Sequence, residues 1–144
     1  MSNKLIKFEI VTPEKIVLKE QVIQVTAPTR QGEITVLPGH IPLIASLQPG
    51  VIEIVKSDGT QDIMSVSGGF IEILKDKVVI LADTAERAEE IDINTVEEAR
   101  KQAEKIKTDM RHFDRERFVN ISAQISKELA RTKAVKRWKK IKGN

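Results

Sequence analysis

Val51-Ile52-Glu53-Ile54-Val55-Lys56-Ser57-Asp58-Gly59-Thr60-Gln61-Asp62-Ile63-Met64-Ser65-Val66 is the stretch on which the reading of the fold turns. Two strand-like runs, 51–56 and 61–66, flank Asp58-Gly59. Both of those residues tolerate a positive φ, so the chain can reverse there and form a β-hairpin. A second unit of the same kind follows, with 70–74 and 78–82 on either side of Lys75-Asp76-Lys77. Upstream, residues 5–11 mix apolar and polar positions and stop at Thr12-Pro13. In 22–26, Ile23 and Val25 fall on one side of a period-2 pattern, and Gln24 and Thr26 on the other. Pro28, Gly32, Pro38-Gly39, Pro42, Pro49-Gly50 and Gly68-Gly69 punctuate the remainder. Many short strands with frequent turn signals indicate an antiparallel β-sandwich or barrel.

The pattern changes after Ala82. Pro49 is the last proline, and no glycine occurs between Gly69 and Gly143. Thr95 with Glu98 has the form of a capping box, with Asn94 and Glu97 an alternative start. Val96, Ala99, Ala103, Ile106 and Met110 then recur at three- and four-residue spacing, one seam of a helix. Arg111-His112-Phe113-Asp114 is the expected break, with Asp114 able to cap a second helix. The second seam is Phe118, Ile121, Ile125, Leu129, Thr132 and Val135, with Trp138 close to the same side. Two such helices with a short connector form an antiparallel helical hairpin. A lone hairpin of this size buries too little to stand alone, so it needs the β part or another protein. Permanent docking and mobility both remain open.

The 144 residues suit one domain, or a small domain plus an appendage. Apolar content is 40% but aromatic content only 3%, so aliphatic side chains must fill the core. Absence of cysteine excludes disulfides and thiolate metal sites and fits a reducing compartment. His40 and His112 lie far apart in sequence, which argues against a histidine metal site. The N-terminus runs into strand-like sequence with no apolar leader region. The longest apolar run is five residues, 78–82, where a membrane span needs about 20. The expectation is a soluble protein that meets a membrane only through a partner. Charge is uneven: residues 1–90 carry 9 Lys and Arg against 13 Asp and Glu, a net −4, whereas 91–144 carry 15 against 8, a net +7. Such asymmetry suggests two parts with different partners.

Three stretches resemble the epsilon subunit of bacterial F-type ATP synthases. They are Gly32-Glu33-Ile34-Thr35-Val36-Leu37-Pro38-Gly39-His40-Ile41-Pro42-Leu43, Ser67-Gly68-Gly69-Phe70-Ile71-Glu72 and Val79-Ile80-Leu81-Ala82-Asp83-Thr84-Ala85-Glu86. The Leu-Pro-Gly-His-Ile-Pro-Leu segment is the specific one; the helical part matches in pattern and length more than in residues. The resemblance implies an N-terminal antiparallel β-sandwich of about ten strands, residues 1–87, followed by a C-terminal two-helix hairpin, residues 88–144. It implies a non-catalytic subunit on the cytoplasmic face of the cell membrane. The sandwich would dock on the gamma subunit and the c-subunit ring and couple rotation to ATP synthesis. The hairpin would either lie on the sandwich or extend toward the alpha and beta subunits and inhibit ATP hydrolysis. No cofactor is implied.

Site residues divide into three groups. Pro38, Gly39 and Pro42 shape a turn, since proline fixes φ and glycine permits positive φ. With Glu33, His40 and Ile41 they are placed by the resemblance at the c-ring and gamma interface; turn chemistry and a solvated Glu33 are the plainer alternatives. Lys127, Arg131, Lys133, Lys136, Arg137, Lys139 and Lys140 form a basic face in which Glu128 is the lone acid. It is either a solvated helix face or the surface that meets an acidic segment of the beta subunit. Some relatives bind ATP through an Ile/Leu-Asp-x-x-Arg-Ala motif. Ile91 and Asp92 keep its start, with a simple helix cap the plainer alternative for Asp92, and Lys127 and Arg131 are candidates for basic positions on the second helix. Thr95-Val96 replace the Arg-Ala pair, however, and Gln102 stands where a further arginine is expected. Neutral side chains cannot reproduce the guanidinium fork toward phosphate.

Other chemistry finds little support. Gly68-Gly69 lacks the Gly-Lys-Ser/Thr ending of a P-loop and lies between strands, so it reads as a bulge or close backbone approach. No serine or cysteine nucleophile pairs with a histidine by any motif, and no carboxylate pair stands out as acid and base. Nucleic-acid binding by the basic tail is disfavoured by the scarcity of aromatics for base stacking and by the acidic first part.

Overall fold

The computed structural model describes residues 4–110 and 114–143. The expected helix break at Arg111, His112 and Phe113 therefore lies outside the described residues. Nine strands come first: β1 (Ile6–Val11), β2 (Ile16–Thr29), β3 (Gly32–Val36), β4 (Leu43–Leu47), β5 (Gly50–Lys56), β6 (Gln61–Val66), β7 (Gly69–Ile73), β8 (Lys77–Ala82) and β9 (Ala85–Arg87). A 3-10 turn at Ala88–Glu90 leads into helices α1 (Ile93–Thr108) and α2 (Arg115–Ile141).

The long strand β2 organises the sandwich. Its first half pairs with β1, and its second half is flanked by β3 and β5. One layer continues β1-β8-β7-β4 and the other β3-β2-β5-β6-β9. A bridge from Thr29 to Leu47 ties β4 back to β2. Inward-facing aliphatics from both layers meet in one core that includes Ile6, Phe8, Val22, Ile54, Met64, Ile71 and Ile80. Both hairpins form where their turn residues indicated, β5–β6 across Asp58-Gly59 and β7–β8 across Lys75-Asp76.

The expected antiparallel sandwich of about ten strands is present, with nine strands among the described residues, the longest of them β2 at 14 residues. The structure departs from the sequence reading at two places. One pairing, β1 with β8, is parallel. Within β2 a bulge opposite β5 interrupts the register between Val22 and Gln24. An extra residue shifts the inward phase by one, so Val22 and Val25 are buried while Ile23 is 37% exposed.

The helices start from aspartates. Asp92 caps α1, its carboxylate accepting from the Asn94 and Thr95 amides; this is the plainer reading of Asp92, and the helix begins earlier than a Thr95 or Asn94 cap would place it. Asp114 caps α2 through the Arg117 amide, as expected. The α2 seam is the expected one only in its C-terminal half: Thr132 and Val135 are buried as expected, but Leu129 is 49% exposed and Ala130 and Ala134 are buried in addition. The reason is that α2 serves two neighbours, packing on α1 and also on β5, β6 and the 3-10 turn. A helix between two surfaces buries a broad arc instead of one seam. At about 100° per residue, Arg131 falls near the middle of that arc.

Gly69 shows how tightly the strands approach. Its φ is +125°, and a Cβ built there would meet the Leu81 carbonyl oxygen at 2.0 Å. Gly59 also has positive φ, +86°, but open space beside it. Gly69→Ala is expected to cost roughly 2–5 kcal/mol and Gly59→Ala about 1–2 kcal/mol. Urea denaturation of the two variants checks the difference; equal losses would mean that backbone conformation alone sets the cost.

Candidate functional site: two outer faces of one sandwich

Each sheet has an outer face, and the two are used differently. On the β3-β2-β5-β6-β9 layer the outward residues of β5 and β6 include Val51 and Ile63. They are covered by Ala134 and Val135 of α2, with Trp138 and Ile141 packed alongside. Ala88, Ile91 and Val96 complete this second core at the base of the hairpin. Charged groups border it. Arg137 Nη2 donates to Glu53 Oε1 of β5 at 3.0 Å. Arg131 Nη2 donates to Glu86 Oε2 of β9 at 3.0 Å, and its Nη1 to Glu128 Oε2 at 3.0 Å.

On the other layer the outer face is bare. Ile44 of β4, Phe70 of β7 and Leu81 of β8 are 70%, 54% and 50% exposed. The register sets Phe70 beside Leu81 and places Ile44 one pleat along, opposite Glu72. Leu37 and Ile41 of the β3–β4 loop are also exposed, and Leu74 lies exposed at the β7–β8 turn. Gly39 donates its amide to the Lys75 carbonyl, which pins the loop to that turn. Gly39 has φ +81°, and the His40 ring Nδ1 lies 2.6 Å from the Ile41 carbonyl. Pro38, His40 and Pro42 thus build a turn that presents Ile41. Contiguous exposed apolar surface of this kind marks a protein interface.

The sequence-derived groups are partly reunited. Glu33 lies at the far end of β3 from the Pro38–Pro42 turn, on the order of 16 Å away at about 3.3 Å per residue. There it borders a cleft of about 540 Å³ with Leu43, Ile44 and Ser46. It also borders a smaller one, about 250 Å³, with Glu53, Lys133, Lys136, Arg137 and Lys140. Of the basic face, Arg131 and Arg137 point to sandwich carboxylates, while Lys133, Lys136, Lys139 and Lys140 are exposed and Lys127 is half-buried. Ile91 is buried in the second core, and Asp92 is engaged as the α1 cap. Arg131 holds two carboxylates, so an incoming phosphate would have to displace them. Arg100 is likewise occupied, by Glu97 at 2.9 Å and Glu104 at 3.1 Å. Its hydrogen bond holds the Glu97 carboxyl below the ordinary glutamate range.

Ile44, Phe70 and Leu81 were not singled out from sequence. Each sits in a strand where aliphatics also line the core, and only the pleat phase shows which side is wet. Among the described residues no three His, Cys, Asp or Glu side chains cluster to hold a metal ion. No described helix is long and apolar enough to cross a membrane.

The sandwich thus has two apolar outer faces, one covered by the chain's own helix and one bare. Residues 5–88 match the family model of the ATP synthase Delta/Epsilon chain, beta-sandwich domain. The chain is similar to the ATP synthase epsilon chain of Herpetosiphon aurantiacus, 50% identical over 104 residues, 72% of this chain and 76% of that one. It is 45% identical to the epsilon chain of Dichelobacter nodosus over 97 residues, 67% and 68% of the two chains. In structure it is similar to a chain of the Euglena gracilis mitochondrial ATP synthase, with a TM-score of 0.76, 25% identity and coverage of 88% of this chain and 78% of that one. A chain of the Tetrahymena thermophila mitochondrial ATP synthase shares the fold at 15% identity, TM-score 0.62. The chain belongs to the family of ATP synthase epsilon chains, which are non-catalytic subunits of that complex.

The cap assignment is directly testable. Asp92→Ala is expected to cost about 1 kcal/mol and to speed hydrogen exchange at the Asn94 and Thr95 amides. Thr95→Ala, at an exposed position, should stay within about 0.5 kcal/mol. The reverse order would move the cap to Thr95.

Proposed function

We propose that this chain is the central-stalk rotor subunit that couples ion-driven rotation to ATP synthesis and restrains ATP hydrolysis through its helical hairpin. The observation that carries the reading is the division of the two outer faces. The bare face of β4, β7 and β8 offers an apolar surface for the gamma subunit. The Pro38–Pro42 turn and Glu33 offer a rim for the c ring. A structure of the Tetrahymena relative is described as central stalk and c-ring. Burying Ile44, Phe70 and Leu81 supplies roughly 1.5–3 kcal/mol each, enough for a lasting contact when shared over a larger interface.

Residues 1–87 and 88–144 act as separate units in this reading. Every buried member of the main core lies between Ile6 and Ala82, so the sandwich has its own folding nucleus. The hairpin rests on it mainly through the C-terminal half of α2, and the rest of both helices mostly contact each other. Such a limited contact can be exchanged for another at modest cost. When the hairpin extends toward the alpha and beta subunits, the cations of α2 meet an acidic segment of the beta subunit. Charge complementarity of that kind guides docking and register.

Two outcomes test the reading. A chain ending at Glu90 should stay folded, still bind the gamma–c-ring assembly and raise ATP hydrolysis by the reconstituted catalytic head. Unchanged hydrolysis would remove the inhibitory role and leave coupling. Ile44→Glu combined with Phe70→Glu should alter the chain's own stability by less than about 1 kcal/mol. It should weaken binding to gamma by at least about 100-fold, as expected from losing two buried apolar side chains. Undiminished binding would place the gamma contact elsewhere.

A further inference from the structure

The covered face holds α2 by charge as well as by apolar packing. Glu53 is directly paired with Ile63 across β5–β6, and Glu86 with Ser65 across β6–β9. One carboxylate therefore lies to each side of the apolar contact around Ile63. Arg137 reaches the first and Arg131 the second, each at 3.0 Å. Among the described residues these are the two ion pairs that join α2 to the sandwich. Glu128, only 6% exposed, belongs to α2 itself and holds the other side of Arg131 at 3.0 Å. It is three residues from Arg131 on the same helix, so this pair does not itself join α2 to the sandwich.

The pairing is strong in geometry but incomplete. Arg131 and Arg137 each keep a buried Nε–H without a partner. A buried unpaired donor costs free energy, so docking leaves both guanidinium groups short of full satisfaction. Partly shielded pairs also feel salt less than exposed ones do, but still feel it. The result is a contact that can hold and can also be released.

We propose that Arg131 and Arg137 with Glu86 and Glu53 form an electrostatic latch that sets how often the helical hairpin leaves the sandwich. The latch withholds from any acidic partner the same two arginines that the extended hairpin would present. Glu53 and Glu86 are thus competitors of that partner. The latch stands on the docked geometry; its effect on hydrolysis rests on the function proposed above.

The absence of cysteine makes the test clean. Gln61→Cys on β6 and Lys139→Cys on α2, both at exposed positions, accept a fluorophore pair whose distance reads docking in the isolated full chain. Glu53→Gln with Glu86→Gln should raise the undocked fraction roughly tenfold, and Glu86→Lys should do at least as much. Glu14→Gln, on the exposed β1–β2 connection, removes a charge without touching α2 and should leave docking unchanged. Adding salt should loosen the parent chain and affect the double variant far less. Docking that is indifferent to both glutamates would overturn the latch and leave apolar packing alone. In the assembled head the double variant should inhibit hydrolysis more strongly than the parent, the opposite sign to truncation. If the fluorophore distance changes and hydrolysis does not, the latch stands and the inhibitory reading falls.

Discussion

Ile63 is fully buried on the side of β6 that faces away from the sandwich core. A strand in a two-layer sandwich normally shows water a polar residue at such a position. Here the residue is apolar, with Val51 beside it, so this face must be covered. The cover is α2, and the rest of the C-terminal architecture depends on that requirement. The 3-10 turn at Ala88–Glu90 redirects the chain, α1 carries it away, and α2 returns to lay Ala134 and Val135 over the exposed aliphatics. Alanine is suited to the task because a small side chain lets the helix axis approach the sheet closely. Fully covering Ile63 and Val51 stabilises by roughly 1.5–3 kcal/mol per side chain. That is enough to hold the hairpin down and far less than the sandwich core provides for itself.

The opposite face presents the same physical problem without an internal solution. Ile44, Phe70 and Leu81 are exposed on a sheet of comparable size, and no segment among the described residues covers them. The polar residue in their midst, Glu72, interrupts the surface without dividing it. One sheet is thus covered within the chain and the other is left bare among the described residues.

Legibility in the sequence followed the strength of local signals. Both hairpins were readable because Asp58-Gly59 and Lys75-Asp76 fix the reversals. The helical pattern was readable because glycine and proline disappear. The phase of β2 was not, since a bulge at Val22–Gln24 leaves composition unchanged while moving Ile23 to the outside. The α1 start was displaced because Asp92 and Thr95 are both good caps, and only the backbone decides between them. Leu129 was assigned to a seam that assumed one neighbour, whereas α2 has two. The parallel pairing of β1 with β8 depends on a contact across some seventy residues that no local pattern encodes. Of the site, the Pro38–Pro42 turn and the basic helix were visible as motifs. The bare apolar face was not, because its members look like core residues until the pleat is known.

The identity of the cations at the sandwich contact carries the last step. The positions that reach sandwich carboxylates are Arg131 and Arg137; the exposed positions around them, 133, 136, 139 and 140, are all lysine. Arginine carries several donors in a fixed plane and is less strongly hydrated than an ammonium. Arg131 can therefore serve Glu86 and Glu128 at once, each with a different Nη, in a setting where lysine would have to give up more water. Lysine suits the solvent side, where a flexible point charge attracts a distant acidic surface without committing to a geometry. The division between the two residue types follows the division between holding and steering. It places the short-range, desolvated interactions at the contact with the sandwich and leaves the lysine charges in solvent, where they act at longer range.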